Sequence, residues 1–246
     1  MFITSRQNPL IKHLRRLGAD AAYRREQGLF LADGRKLLDD VLKSGVVPCQ
    51  VVAAEGVPLP QLPDAAKLAA VPAALMDAVS PLESPQGVLF VCGIPAPPPA
   101  PPRSGRWLLL DRLQDPGNVG SILRTAEAFA LDGVYLTPGS ADPFSPKAVR
   151  AAMGATFRLS AGFAPVEELL SGPLPLAVAD MGGGNLSGLE NDCIVALGSE
   201  GQGIAPGLKR KANRILSIPM PGKAESLGVA AAAAIICWAW SATARK

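Results

Sequence analysis

Six of the twelve residues from Ile94 to Gly105, IPAPPPAPPRSG, are proline, and no other stretch constrains the fold as strongly. A run of this kind favours extended polyproline geometry, lacks the N–H groups a sheet ladder needs, and cannot sit inside a helix. It therefore reads as a semi-rigid linker over 94–105, dividing the chain into residues 1–93 and 106–246, each near an ordinary domain size. No internal repeat relates the two pieces. The chain has 246 residues, 48% of them hydrophobic and 18% charged, which suits buried cores in both.

The first piece alternates helical and strand-like segments. Asn8 can cap a helix that opens at Pro9, runs through Ile11, Leu14 and Leu17 and closes at Gly18. Strand-like Leu29–Ala32, a helix from Arg35 to Ser44 stopped by Gly45, strand-like Gln50–Ala53, helical Ala73–Ala78 and strand-like Gly87–Cys92 follow. The pattern predicts a small α/β sandwich. The second piece opens with the unbroken apolar run Trp107–Leu110, of the kind buried in a parallel sheet, and ends it at Asp111. Further strand candidates are Val134–Thr137, Leu176–Ala179, Ile194–Leu197 and Ile215–Ile218. This predicts an open parallel α/β sheet with ligand chemistry beyond the strand C-termini.

Several classes are disfavoured. Cys49, Cys92, Cys193 and Cys237 lie far apart with no C-x-x-C pair, so neither zinc nor a disulfide framework is expected. Leu227–Ala239 is apolar but falls short of the roughly 20 residues that cross a bilayer. The first residues carry Arg6, Lys12, Arg15 and Arg16 with no apolar h-region behind them, which predicts a cytoplasmic protein. The net charge of +3 does not by itself announce a polyanion partner.

Three segments could carry chemistry. In DRLQDPGNVGSILRTAEAFALDGVYLT, Asp111–Thr137, a strand passes through Pro116, Gly117 and Asn118 into a helix bearing Arg124 near its N-terminal end. By itself this is compatible with a plain βα turn, Asn118 being a cap and Arg124 a surface cation, and the dinucleotide fingerprint G-x-G-x-x-G is absent. In ALGSEGQGI, Ala196–Ile204, a buried strand releases into glycines around the carboxylate Glu200, which would equally suit a flexible turn. In ILSIPMPGKAESLGVAAAAAIICWAW a strand ends at Pro219 and Pro221, loops, and enters an apolar helix after Ser226. Ser226 could be an ordinary cap, and the helix should bury almost all round.

Taken together and in this order, the three segments resemble the three motifs of the SpoU (TrmH-like) family of RNA 2′-O-ribose methyltransferases. SRQNPLIKHLRRL and EQGLFLADGRKLLDDVLKSG resemble that family's N-terminal RNA-binding domain, similar to ribosomal protein L30e. The resemblance implies a parallel-sheet catalytic domain closed by a C-terminal trefoil knot, a homodimer, and S-adenosylmethionine as methyl donor. It implies donor contacts at Leu197, Gly198, Ile218, Met220 and Leu227, catalytic roles for Asn118, Arg124, Glu200 and Ser226, and no metal. Arginine stays protonated at neutral pH, so Arg124 would orient and stabilise the attacking hydroxyl at least as well as it would remove its proton. The family's third motif reads S-L-N-V, and here Gly228 stands in place of its asparagine; Ala152 stands where the family often has serine.

The basic residues Arg6, Lys12, Arg15, Arg16, Arg24 and Arg25 are expected to contact RNA phosphates, with Arg150, following Lys147, a further candidate near the active cleft. The function implied is methyl transfer to a ribose 2′-hydroxyl of structured RNA, ribosomal RNA ahead of transfer RNA. A non-catalytic RNA-binding or ribosome-assembly factor that keeps the fold remains the alternative, favoured by Gly228.

Overall fold

The computed structural model describes residues 1–82, 84–199 and 201–243. In chain order the elements are α1 (Pro9–Ala19), α2 (Ala21–Gln27), β1 (Leu29–Asp33), α3 (Arg35–Lys43), β2 (Gln50–Ala54), β3 (Lys67–Val71), α4 (Ala73–Val79) and β4 (Val88–Gly93). They continue with β5 (Arg106–Asp111), α5 (Pro116–Ala128), β6 (Gly133–Leu136), α6 (Pro146–Ala152), β7 (Ser160–Phe163) and α7 (Val166–Leu169). The last are β8 (Leu176–Gly184), β9 (Cys193–Gly198), α8 (Pro206–Lys211), β10 (Arg214–Leu216) and α9 (Val229–Thr243).

Two compact units result: Met1–Pro95 with Phe144–Phe157, and Ala96–Pro143 with Arg158–Lys246. In the first, a four-stranded sheet of order β1-β4-β2-β3 is mixed, with β2 and β3 parallel and β4 antiparallel to both β1 and β2. Asn8 caps α1, its side chain accepting from the Leu10 N–H at 2.9 Å, and Ile11, Leu14 and Leu17 turn into the core as their spacing requires. On the opposite sheet face, Phe144 and Val149 join the cluster of Phe30, Leu38, Val41, Val51 and Phe90. The stretch Phe144–Phe157 was expected to fold with residues 106–246; it supplies aromatic surface to the first unit instead. Phe30 meets Phe144 and Phe157 at ring centroid distances of 5.4 and 5.2 Å.

The second unit is built on a six-stranded sheet of order β10-β8-β9-β5-β6-β7, with every pairing parallel. The strand Trp107–Leu110 occupies its centre, and Leu108, Leu109 and Leu110 are fully buried, each worth about 1.5–3 kcal/mol relative to exposure. The chain lays β6 and β7 on one side of β5 and then returns to build the other, so strand order reverses beside β5. Ligands bind outside the carboxyl ends of the strands at such a point. The proline run is packed on this unit: the Tyr135 hydroxyl donates to the Pro99 carbonyl, Ala100 joins a core cluster, and Pro97 and Pro98 lie over Gly162.

Candidate active site

The reversal point is marked by a residue pair. Asp111 closes β5 and Gly198 closes β9, and the two are register partners. Asp111 is 2% exposed, so its carboxylate must be hydrogen-bonded. One oxygen accepts from the Thr137 hydroxyl at 3.1 Å, the other from the Ala205 N–H at 2.7 Å, and Arg112 reaches that second oxygen at 3.3 Å. Sequence reasoning treated Asp111 only as a strand end; a carboxylate closing a wholly apolar run was the signal available.

Helix α5 starts upstream of the expected cap. Asp115 is the N-cap, its side chain accepting from the Asn118 N–H at 2.8 Å, and Pro116 opens the helix. Asn118 is therefore inside the first turn, not its cap. Arg124 stands past the middle of Pro116–Ala128 instead of near its N-terminal end, on the exposed face. Among the described residues it makes no hydrogen bond or ion pair.

After β9 the chain folds back tightly. Ser199 and Gly203 form a bridge, with the Gly203 N–H donating to the Ser199 carbonyl at 2.8 Å. Glu200 lies outside the described residues. After β10, the Ser217 N–H donates to the Gly184 carbonyl at 2.6 Å and the Ser217 hydroxyl to the Met181 carbonyl at 3.1 Å. The segment beyond carries Ile218, Met220 and Leu227. Ser226 is exposed and does not begin α9, which opens at Val229; the Gly228 carbonyl accepts its first bond, from the Ala232 N–H at 3.0 Å.

These turns enclose a cavity of about 540 Å³, within the roughly 300–1,000 Å³ usual for small-molecule sites. Leu197, Gly198, Ile218, Met220 and Leu227 all line it, and so does Ser226. Asn118 and Arg124 are not in its lining. The lining was incompletely foreseen: Asp180 also faces the cavity, its carboxyl held below the usual range chiefly by a hydrogen bond from the Lys209 ammonium. Asp180 is the one ionisable residue among the described cavity residues. The wall thus offers apolar side chains, hydroxyls and strand-end backbone groups, a fit for an uncharged aromatic base with a polar tail. No group of three or more possible metal ligands occurs among the described residues, and none of their helices is long and apolar enough to cross a membrane.

The expected phosphate contacts divide. Arg6, Lys12, Arg15 and Arg25 are exposed, as is Arg16, whose guanidinium lies 3.8 Å from the Tyr23 ring centroid. Arg24 departs from the set. It is 3% exposed and donates to the Leu17 carbonyl at 2.6 Å, joining α1 to α2, so it cannot contact a phosphate without unfolding that junction. Arg150 is exposed but folds with the first unit, donating to the Ser84 carbonyl at 3.4 Å, rather than with the elements that line the cavity.

Residues 106–238 match the SpoU rRNA Methylase family, and residues 8–89 match the MRM3-like substrate binding domain. The chain is 32% identical to the 23S rRNA (guanosine(2553)-2′-O)-methyltransferase RlmP of Bacillus subtilis, over 96% of this chain and 97% of that one. It superposes on the AdoMet-bound rRNA methyltransferase from Sinorhizobium meliloti with a TM-score of 0.85 and 26% identity, covering 99% of this chain and 98% of the other. The fold is likewise that of the SpoU methyltransferase AviRb from Streptomyces viridochromogenes, TM-score 0.83, 24% identity, with 98% and 99% covered. Two motifs that lie apart in the chain but share one cavity, a parallel sheet reversing beside β5, and these matches over nearly its whole length lead to one conclusion: the chain belongs to the SpoU rRNA methylase family.

Proposed function

We propose that this protein transfers a methyl group from S-adenosylmethionine to a ribose 2′-hydroxyl of structured RNA, ribosomal RNA ahead of transfer RNA. The observation that carries this reading is the convergence of Leu197, Gly198, Ile218, Met220, Ser226 and Leu227 on one cavity, from segments separated by β10 and its flanking loops. The relatives named for rRNA 2′-O-methylation support the substrate class.

The bound donor would supply an electrophilic methyl on a sulfonium. The chain's part is binding and positioning. Backbone groups at Gly198, Ile218 and Leu227 hold the donor, while Leu197 and Met220 give apolar contact. A ribose hydroxyl is a very weak acid, so alignment contributes more than proton removal, and a positioned base adds about 10²–10⁴ in rate. Arg124 orients the hydroxyl and its neighbouring phosphate, and Asn118, Glu200 and Ser226 complete the constellation.

In the same reading the turns after β9 and β10 form a trefoil knot, and residues 1–93, completed by Phe144–Phe157, form an L30e-like substrate-binding domain whose Arg6, Lys12, Arg15, Arg16 and Arg25 meet phosphates. The protein works as a homodimer in the cytoplasm. The dimer is supported by an exposed stripe on α9, Ala231, Ile235 and Trp238, which the expectation of all-round burial did not foresee.

Gly228 in place of the motif asparagine favours a second reading, an RNA-binding factor without catalysis. Mapping 2′-O-methylation in cellular RNA with and without the protein decides between them. Loss of a discrete ribosomal mark is the expected result; an unchanged methylation map would overturn the enzymatic reading.

A further inference from the structure

Arg112 follows β5 directly and sits at φ 55°, in the left-handed region that side-chain-bearing residues seldom occupy. Such a conformation persists where surrounding contacts hold it, and at Arg112 they hold both ends of the residue. Its N–H donates to the Thr137 hydroxyl oxygen at 2.9 Å. Its guanidinium reaches over to the turn after β9: Nη1 donates to Gln202 Oε1 at 2.8 Å and Nη2 to the Gly203 carbonyl at 3.3 Å. Nε and Nη2 also face Asp111 Oδ2, at 3.4 and 3.3 Å, the oxygen that accepts from the Ala205 N–H.

The partners of Arg112 and Asp111 beyond β5 and β6, the acceptors Gln202 and Gly203 and the donor Ala205, thus lie on one short stretch, the returning limb of a turn whose Gly198, Ser199, Gly203 and Ile204 line the cavity. Arg112 itself is not in the lining. We propose that Arg112 is a positioning residue for the donor pocket: its guanidinium, braced by the buried Asp111 carboxylate, latches the returning limb and so fixes one wall of the cavity. The proposal rests on the methyl-transfer reading. It requires the planar fork of arginine, because Gln202 and Gly203 are reached from two different nitrogens, Nη1 and Nη2, whereas a lysine ammonium carries all its donors on one atom.

The test compares Arg112→Ala, Arg112→Lys and the exposed control Arg210→Ala in the full chain. Calorimetry with S-adenosylmethionine and S-adenosylhomocysteine, steady-state kinetics, thermal melting and amide exchange are the readouts. Arg112→Ala should raise the donor Kd and KM by about tenfold while kcat changes by less than about threefold, a loss of binding rather than of chemistry. Its Tm should match that of Arg210→Ala, the Gly203 and Ala205 amides should exchange faster, and Arg112→Lys should recover little. An unchanged donor Kd, a loss confined to kcat, or full recovery by lysine overturns the proposal. Unsubstituted protein that binds no donor would sink the methyl-transfer reading, whereas slow exchange at Gly203 and Ala205 that survives Arg112→Ala would sink the latch whatever the protein binds.

Discussion

Gly198 runs so close to Gly203 that a β-carbon on the first would fall 2.2 Å from the carbonyl carbon of the second. No side-chain adjustment relieves a backbone contact of that length, so Gly198→Ala must push the turn outward and deform the cavity. Donor affinity should fall by at least about tenfold, or 1.4 kcal/mol, in a calorimetric titration. Gly201→Ala, where a β-carbon would meet nothing within 4 Å, should bind the donor as the unsubstituted protein does.

Arg124 is exposed on α5 and outside the cavity lining, so its removal should separate binding from chemistry. Alanine is the best helix former and leaves α5 intact. Arg124→Ala should keep its donor Kd within about twofold while methyl transfer falls by at least about 10², the scale of a lost group that acts only in the transition state. Turnover near normal would remove Arg124 from the mechanism.

Gly228 has open space where a side chain would go. It occupies the cap position of α9, where asparagine is favoured over glycine by a few tenths of a kcal/mol. Gly228→Asn, which restores the family motif, should therefore melt at the same temperature or slightly higher, and turnover should rise. A drop in Tm would show that the loop before α9 cannot take the side chain.

Two arginines of the first unit, Arg24 and Arg15, should fail in different ways. Arg24→Ala removes a buried donor from the Leu17 carbonyl and should cost about 1–3 kcal/mol in denaturant unfolding. Arg15→Ala, at an exposed position, should leave stability unchanged, weaken RNA binding and lower the slope of log affinity against log salt by about 0.7–0.9. If Arg15→Ala keeps the full salt slope, α1 is not a phosphate-contacting face.

Trp238 is 63% exposed on an otherwise apolar helix. A large apolar side chain left open on α9 alongside Ile235 suits an isologous contact with a second copy. Trp238→Ser should shift the sedimentation coefficient from dimer to monomer; a dimer that persists at equal concentration would place the contact elsewhere.

Much of the sheet was legible because burial on both faces leaves a plain mark: Trp107–Leu110 and Ile194–Leu197 are continuous apolar runs and became the central strands β5 and β9. The edge strands β3 and β7 escaped notice. Lys67–Val71 reads KLAAV and Ser160–Phe163 reads SAGF, short and small-residue sequences without a clear period. Leu197, Gly198, Ile218, Met220, Ser226 and Leu227 were named by motif, and their gathering on one cavity could not be read from spacing, since the segments bearing Gly198 and Leu227 are brought to it only by the return of β10. Arg24 was misassigned because a basic run looks the same whether one member points inward or not. The proline run was read as a spacer from its missing N–H groups; its rings are also apolar, and they pack on Gly162 and Gly172.

The detour Phe144–Phe157 changes what can be cut from this protein. The first unit's apolar cluster includes Phe144, Val149 and Phe157, residues translated long after β4 has been made. A fragment ending at the proline run would present Phe30 and Phe90 to water and should aggregate, and the nascent N-terminal half should wait, incompletely folded, until the ribosome has delivered the crossover between β6 and β7. A gene for this chain therefore cannot be divided at its most obvious seam into two independently folding products.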